Sequence, residues 1–216
     1  MRRVLLLTAA ATAALSLAAC QKKAEGNAVV AEGNTASGTM SAANPGQTGP
    51  VNAAQDATAA AVGATSAATM GSHDTGAFVD NATQGNMYEI KAAQIARQKA
   101  TSPDVKAFAK MMVTDHTAIS NEMKPLITKS GKAPATALDQ RRLGLLDNLT
   151  AASAKDFDKT YMDQQVAAHD ETLTLLKGYA DNGSDTGLKA GAAKTVPKVQ
   201  AHLDKAKAIQ AKLASG

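Results

Sequence analysis

The chain has 216 residues, an aromatic content of only 3 % with no tryptophan, and a formal charge of +4. Removing Arg2 and Arg3 with a leader leaves about +2, and the remaining cations are scattered singly, without interleaved aromatics, which excludes a nucleic-acid-binding role. A core poor in aromatics has to come from Leu, Ile, Val, Met and Ala, a composition suited to closely packed helices.

Met1 to Ala19 has the pattern of a secretory signal: two arginines followed by an apolar run from Val4 to Leu17. The run is short for a permanent span, which needs roughly 20 apolar residues. It ends in Leu17-Ala18-Ala19-Cys20, which resembles the lipobox of bacterial lipoproteins. That resemblance implies cleavage before Cys20 and acylation of it, giving enough chains for stable membrane anchoring. Cys20 is the single cysteine, so the mature chain has no internal disulfide. Gln21, in place of an aspartate, points to the outer membrane rather than the inner, with the domain facing the periplasm.

From Cys20 to His73 the chain lacks Leu, Ile and aromatic residues and is rich in Ala, Gly, Asn, Ser and Thr. Such a stretch buries too little apolar surface to offset its ordering entropy, and it is expected to be a disordered tether with, at most, transient helix over Ala53–Ala68. The folded domain is expected over residues 74–216. Caps at Asp74-Thr75 open a first helix running to about Ala100. Ser102-Pro103-Asp104 opens a second, with the Ser102 hydroxyl as cap, ending at Gly131. Thr136…Asp139 resembles a capping box for a shorter helix carrying Leu138, Leu145, Leu146 and Leu149. Ser153…Asp156 opens a fourth helix to about Asp181, and a fifth runs from about Asp185 to Leu213. Pro125 and Pro197 are expected to bend their helices. No segment alternates as a strand does. The fold class is all-α: an up-and-down four-helix bundle with one extra short helix.

Four polar residues interrupt the apolar stripes near mid-helix. His116 fills the gap in a series formed by Val105, Phe108, Met112, Ile119, Met123 and Leu126. His169 shares a face with Met162, Leu173 and Leu176, and His202 one with Val199, Ala206 and Ile209. Glu89 shares a face with Ala82, Gly85, Ala93 and Ala96. Antiparallel helices bring mid-helix positions to one height, so Glu89, His116, His169 and His202 are expected to form a layer across the bundle. Two readings of that layer compete. In the first, carboxylate and imidazoles hydrogen-bond one another and fix helix register. In the second, they hold a single transition-metal ion. A di-iron centre is disfavoured, because the Glu-x-x-His motif it needs is replaced by Val113, Val166 and Val199 three residues before each histidine. Asp115 and Tyr161 are supporting candidates, the first as a surface charge or partner to a neighbouring helix, the second as core packing. His73 falls in the tether and has no assigned role. No nucleophile motif, phosphate loop or paired-cysteine site occurs, which leans against an enzyme. Protein partners are not legible.

Phe78…Gly85…Glu89…Ala96, Ser102-Pro103-Asp104-Val105-Lys106…Phe108-Ala109 and Met112-Val113…Asp115-His116, followed by Phe157-Asp158…Tyr161…His169 and Pro197…His202-Leu203…Ala206, resemble a bacterial envelope family of unknown function, domain-of-unknown-function family 4142. The resemblance spans about Thr75 to Leu213. It implies a ferritin-like bundle and an exported location, and it brings no activity. Function is therefore expected to be non-catalytic binding or structural support by a lipid-anchored bundle, the alternative being metal binding or buffering through the Glu/His layer. Cys20→Ser should release the protein from the membrane fraction; continued membrane association would contradict the lipobox assignment.

Overall fold

The computed structural model describes residues 49–215. The expected signal, Cys20 and the first part of the expected tether lie outside them. The described residues form six α-helices and a short 3-10 turn, with no strand: α1 Gly49–Ala68, the turn Met70–Ser72, α2 Thr75–Lys99, α3 Pro103–Lys129, α4 Gln140–Ala151, α5 Phe157–Asn182 and α6 Thr186–Ser215. None of them is long and apolar enough to cross a membrane.

Helices α2, α3, α6 and α5 make a ring in that order, each packed on the next, and α5 closes on α2. Ring neighbours run antiparallel. Phe78 near the start of α2 stacks on Tyr179 near the end of α5, and Asp104 at the start of α3 pairs with Lys212 at the end of α6. The diagonal helices α3 and α5 start at the same end, where Asp158 accepts from Thr101 and Ser102. The chain between them must travel back along the bundle, and the segment holding α4 makes that journey. One crossover of this kind is the connectivity of ferritin-like bundles.

Local chemistry explains the helix ends. Asp74 caps α2 by accepting from the Ala77 N–H at 2.7 Å. Gly131 takes φ +74° just past α3, a conformation that needs no Cβ. At two starts the cap differs from expectation. Ser102 makes no side-chain cap; the buried carboxylate of Asp158, reaching across from α5, receives the Thr101 and Ser102 amides instead. Asp139, rather than Thr136, caps the short helix, accepting from the Arg142 N–H at 2.7 Å.

The larger correction concerns the tether. Residues 49–72, expected to be disordered, are helical and lie against α4 and α5. The buried face of α1 is Asn52, Ala59, Gly63 and Ala67. Small side chains let its backbone approach closely: a Cβ at Gly63 would collide with the side chains of Glu171 and Arg141. Polar contacts then hold it, with Arg141 donating to the Ala59 carbonyl at 3.2 Å and Asn148 to Asp56 at 2.7 Å. A seam without Leu, Ile or aromatics is invisible to a search for apolar faces.

The core falls into two apolar halves. One gathers Tyr88, Val105, Phe108, Met112, Leu149, Phe157 and Tyr161; the other Phe78, Val79, Ile127, Leu176, Tyr179, Leu188 and Leu203. All three phenylalanines and all three tyrosines are buried. Alongside, Glu171 of α5 binds both Arg141 and Arg142 of α4, at 2.8 and 2.9 Å, with side chains at most 11 % exposed. Removing the carboxylate from such a cluster leaves Arg141 without its ion-pair partner and Arg142 with Asp139 alone. Glu171→Ala should therefore destabilise the protein by about 3–5 kcal/mol in urea unfolding and expose α1 to proteolysis. A loss below about 1 kcal/mol would mean that water compensates the pair.

Candidate metal centre

His116 of α3, His169 of α5 and His202 of α6 meet between the two apolar halves. Their ring centroids form a near-equilateral triangle with sides of 5.6, 5.4 and 5.6 Å. One ring nitrogen from each lies within 4.8 Å of the others, and all three residues are at most 3 % exposed. Each ring has one nitrogen engaged by a different kind of oxygen. Nδ1 of His116 donates to the Asn86 side-chain oxygen at 2.7 Å. The orientation of that amide follows from its nitrogen, which donates to the His116 carbonyl and to Ser120. Nδ1 of His169 donates to the carbonyl of Gln165, one turn earlier, at 2.8 Å. Nε2 of His202 donates to Asp115 at 2.9 Å. The remaining nitrogens, Nε2 of His116, Nε2 of His169 and Nδ1 of His202, are buried without a partner among the described residues. With the protons placed by these contacts, all three are lone pairs.

Burial keeps the rings neutral. It holds His169 down to about 4, with His202 adding to the effect and the Gln165 carbonyl opposing it. His116 lies well below the ordinary imidazole range, through burial and its two histidine neighbours. Burial also lowers His202, against the pull of Asp115. Neutral imidazole is the form that ligates a metal. Three nitrogens on an ion with bonds of 2.0–2.1 Å stand about 3.3 Å apart, so each needs to move inward by less than about 1 Å.

Glu89 touches this group without joining the converging nitrogens. Its nearer oxygen is 3.6 Å from Nδ1 of His169, the nitrogen already given to Gln165, and neither carboxylate oxygen has a hydrogen-bond partner. Burial, opposed by the neighbouring Gln165 side chain and Arg142 and helped by Glu171, raises its pKa to about 8. Asp115, a supporting candidate by sequence, orients His202 across the α3–α6 interface. Tyr161 packs between Phe108 and Phe157 two turns from His169, and its buried hydroxyl has no partner among the described residues. Asn86 escaped the sequence reading. It sits three residues before Glu89, and a polar residue at that spacing is indistinguishable from one on a solvated face. His116 borders a largely apolar cleft of about 400 Å³ that also reaches Asn86 and Ser120.

The family described as Domain of unknown function (DUF4142) matches residues 60–209, well over half of the chain, and the protein belongs to it. No curated protein and no solved structure matches the chain.

The two kinds of titrating group act on stability in opposite directions. Glu89, raised from 4.5 to about 8, contributes fully below 4.5 and loses its contribution as pH rises through 8. His169, lowered from 6.5 to about 4, contributes fully above 6.5 and loses its contribution as pH falls towards 4. Metal-free protein should therefore be most stable between these limits. Glu89→Gln should exceed wild type by roughly 2–5 kcal/mol at pH 9, with the gap shrinking as pH is lowered to 5. Urea melts at the two pH values measure this. A gap independent of pH would show that Glu89 is ionised throughout.

Proposed function

We propose that this member of the DUF4142 family is a metal-binding protein of the cell envelope, held at the membrane by lipid on Cys20 and carrying one transition-metal ion on His116, His169 and His202. The observation that carries this reading is the set of three buried lone pairs. In the competing structural reading, hydrogen bonds among carboxylate and imidazoles fix helix register, and that reading leaves these three acceptors unpaired. An unsatisfied buried acceptor costs about 1–3 kcal/mol, and a cation relieves all three at once. Three neutral nitrogens with no thiolate favour zinc or another borderline divalent ion. They leave a fourth position for water or an anion. The oxygens on the opposite nitrogens are the outer partners that ligating histidines use to fix ring orientation. Glu89 has no second carboxylate at the ion's position to bridge with it, in keeping with a mononuclear centre. The free nitrogens are shielded from solvent, which favours holding an ion over turning over a substrate.

Elemental analysis of the full chain, purified without a histidine tag, is expected to show about one equivalent of a first-row divalent metal after equilibration with zinc. At a free concentration of about 100 times Kd, the ion should add about 2.7 kcal/mol to stability. His116→Ala should abolish both effects. Retained metal below roughly a tenth of an equivalent, with no uptake on titration, would overturn the reading.

A further inference from the structure

Helices α1, α2, α4 and α5 line a partly open cavity of about 470 Å³, whose wall includes Glu89 and none of the three histidines. That lies within the range of small-molecule sites, roughly 300–1,000 Å³. Much of its wall is methyl groups, from Ala53, Ala60 and Ala168 among others, together with Leu145. The polar groups have an uneven balance. Arg141 and Arg142, the only cations among the described residues of the wall, are both bound to Glu171. Against them stand the carboxylates of Asp56, Glu89, Asp156, Asp163 and Glu171. Tyr88 and Gln164 have spent their donors within the protein, on Gln164 and on Asp56 and the Leu145 carbonyl. What remains without a partner is oxygen: both carboxylate oxygens of Glu89, the side-chain oxygen of Asn148 and that of Asn52. These residues are 2, 3 and 8 % exposed. The amide of Asn148 is oriented by its bond to Asp56, so its free atom is an acceptor.

From this wall we propose that the cavity is a second binding site, for a small organic ammonium ion with an aliphatic body. The ammonium supplies the donors that the Asn148 and Asn52 oxygens lack, with Glu89 beside them, and the methylene chain lies against the alanines. Glu89 stands between this cavity and His169, and the proposal does not rest on a metal being bound there.

Calorimetric titration of the metal-free full chain with 1,6-diaminohexane tests the proposal, with 1,6-hexanediol and adipate as the neutral and anionic counterparts. Saturable one-site binding of the diamine is expected, and none of the diol or the diacid at equal concentration. Glu89→Gln should weaken the diamine at least about tenfold. Gly85→Leu should abolish its binding: Gly85 is on the cavity wall, and a Cβ there meets nothing closer than 3.9 Å. Ala168→Leu gives the same block from α5, should the α2 variant fail to fold. Absence of saturable binding, equal binding of the diol, or unchanged binding in Glu89→Gln and both cavity-filling variants would each overturn the proposal. So would binding seen only after zinc is added, because the amine would then be a metal ligand.

Discussion

An imidazole surrounded by hydrocarbon must place its N–H on an oxygen, and this bundle has to solve that problem three times at one height. The three solutions draw on different parts of the chain: a side-chain amide from α2, a backbone carbonyl from α5 itself, and a carboxylate from α3. Two of them fix the rotation of one helix relative to its neighbour, and the third stays within α5. Asn86 ties α2 to α3 through three hydrogen bonds, and Asp115 ties α3 to α6. The polar layer is thus a set of directional constraints set between two non-directional apolar halves. Burial supplies the attraction that brings the helices together, and these contacts select one arrangement.

The histidines were legible because burial on a helix leaves a periodic trace. Each of the three fell on a stripe of apolar residues, and that is where the structure puts them. Helix ends governed by backbone chemistry were legible for the same reason of locality: Asp74, Pro103 and Gly131 act within one turn of themselves. What escaped depends on contacts between distant segments. Asp158 caps a helix that begins 55 residues earlier in the chain, which no local pattern at Ser102 announces. The Arg142–Glu171 pair joins two helices 29 residues apart, and either residue alone resembles a surface charge. Asn86 and the face of α1 were missed because their roles are set by polar contact and close backbone approach, to which hydropathy is blind.

Scarcity of aromatics misleads in a related way. Six rings among 216 residues suggest a core built by aliphatic side chains, yet every ring is buried. Phe78 stacks on Tyr179 in one half of the core, with centroids 3.9 Å apart, while Phe108, Tyr161 and Phe157 form a row in the other. The alanines between them, such as Ala92, Ala93 and Ala96 of α2, let the helices come close enough for a few large side chains to fill the space. Alanine brings no side-chain entropy to lose, so a core of this kind gains its density cheaply.

The division of the core into two halves bears on how the bundle could misassemble. In a uniform apolar seam, one helix can slide along its neighbours by a turn, about 5.4 Å, and find nearly equivalent packing. Here a slide of α3 against α2 or α6 carries His116 or His202 into neighbouring hydrocarbon, away from the oxygens of Asn86 or Asp115. The layer therefore acts as a ratchet stop on α2, α3 and α6, and it does so before any ion arrives.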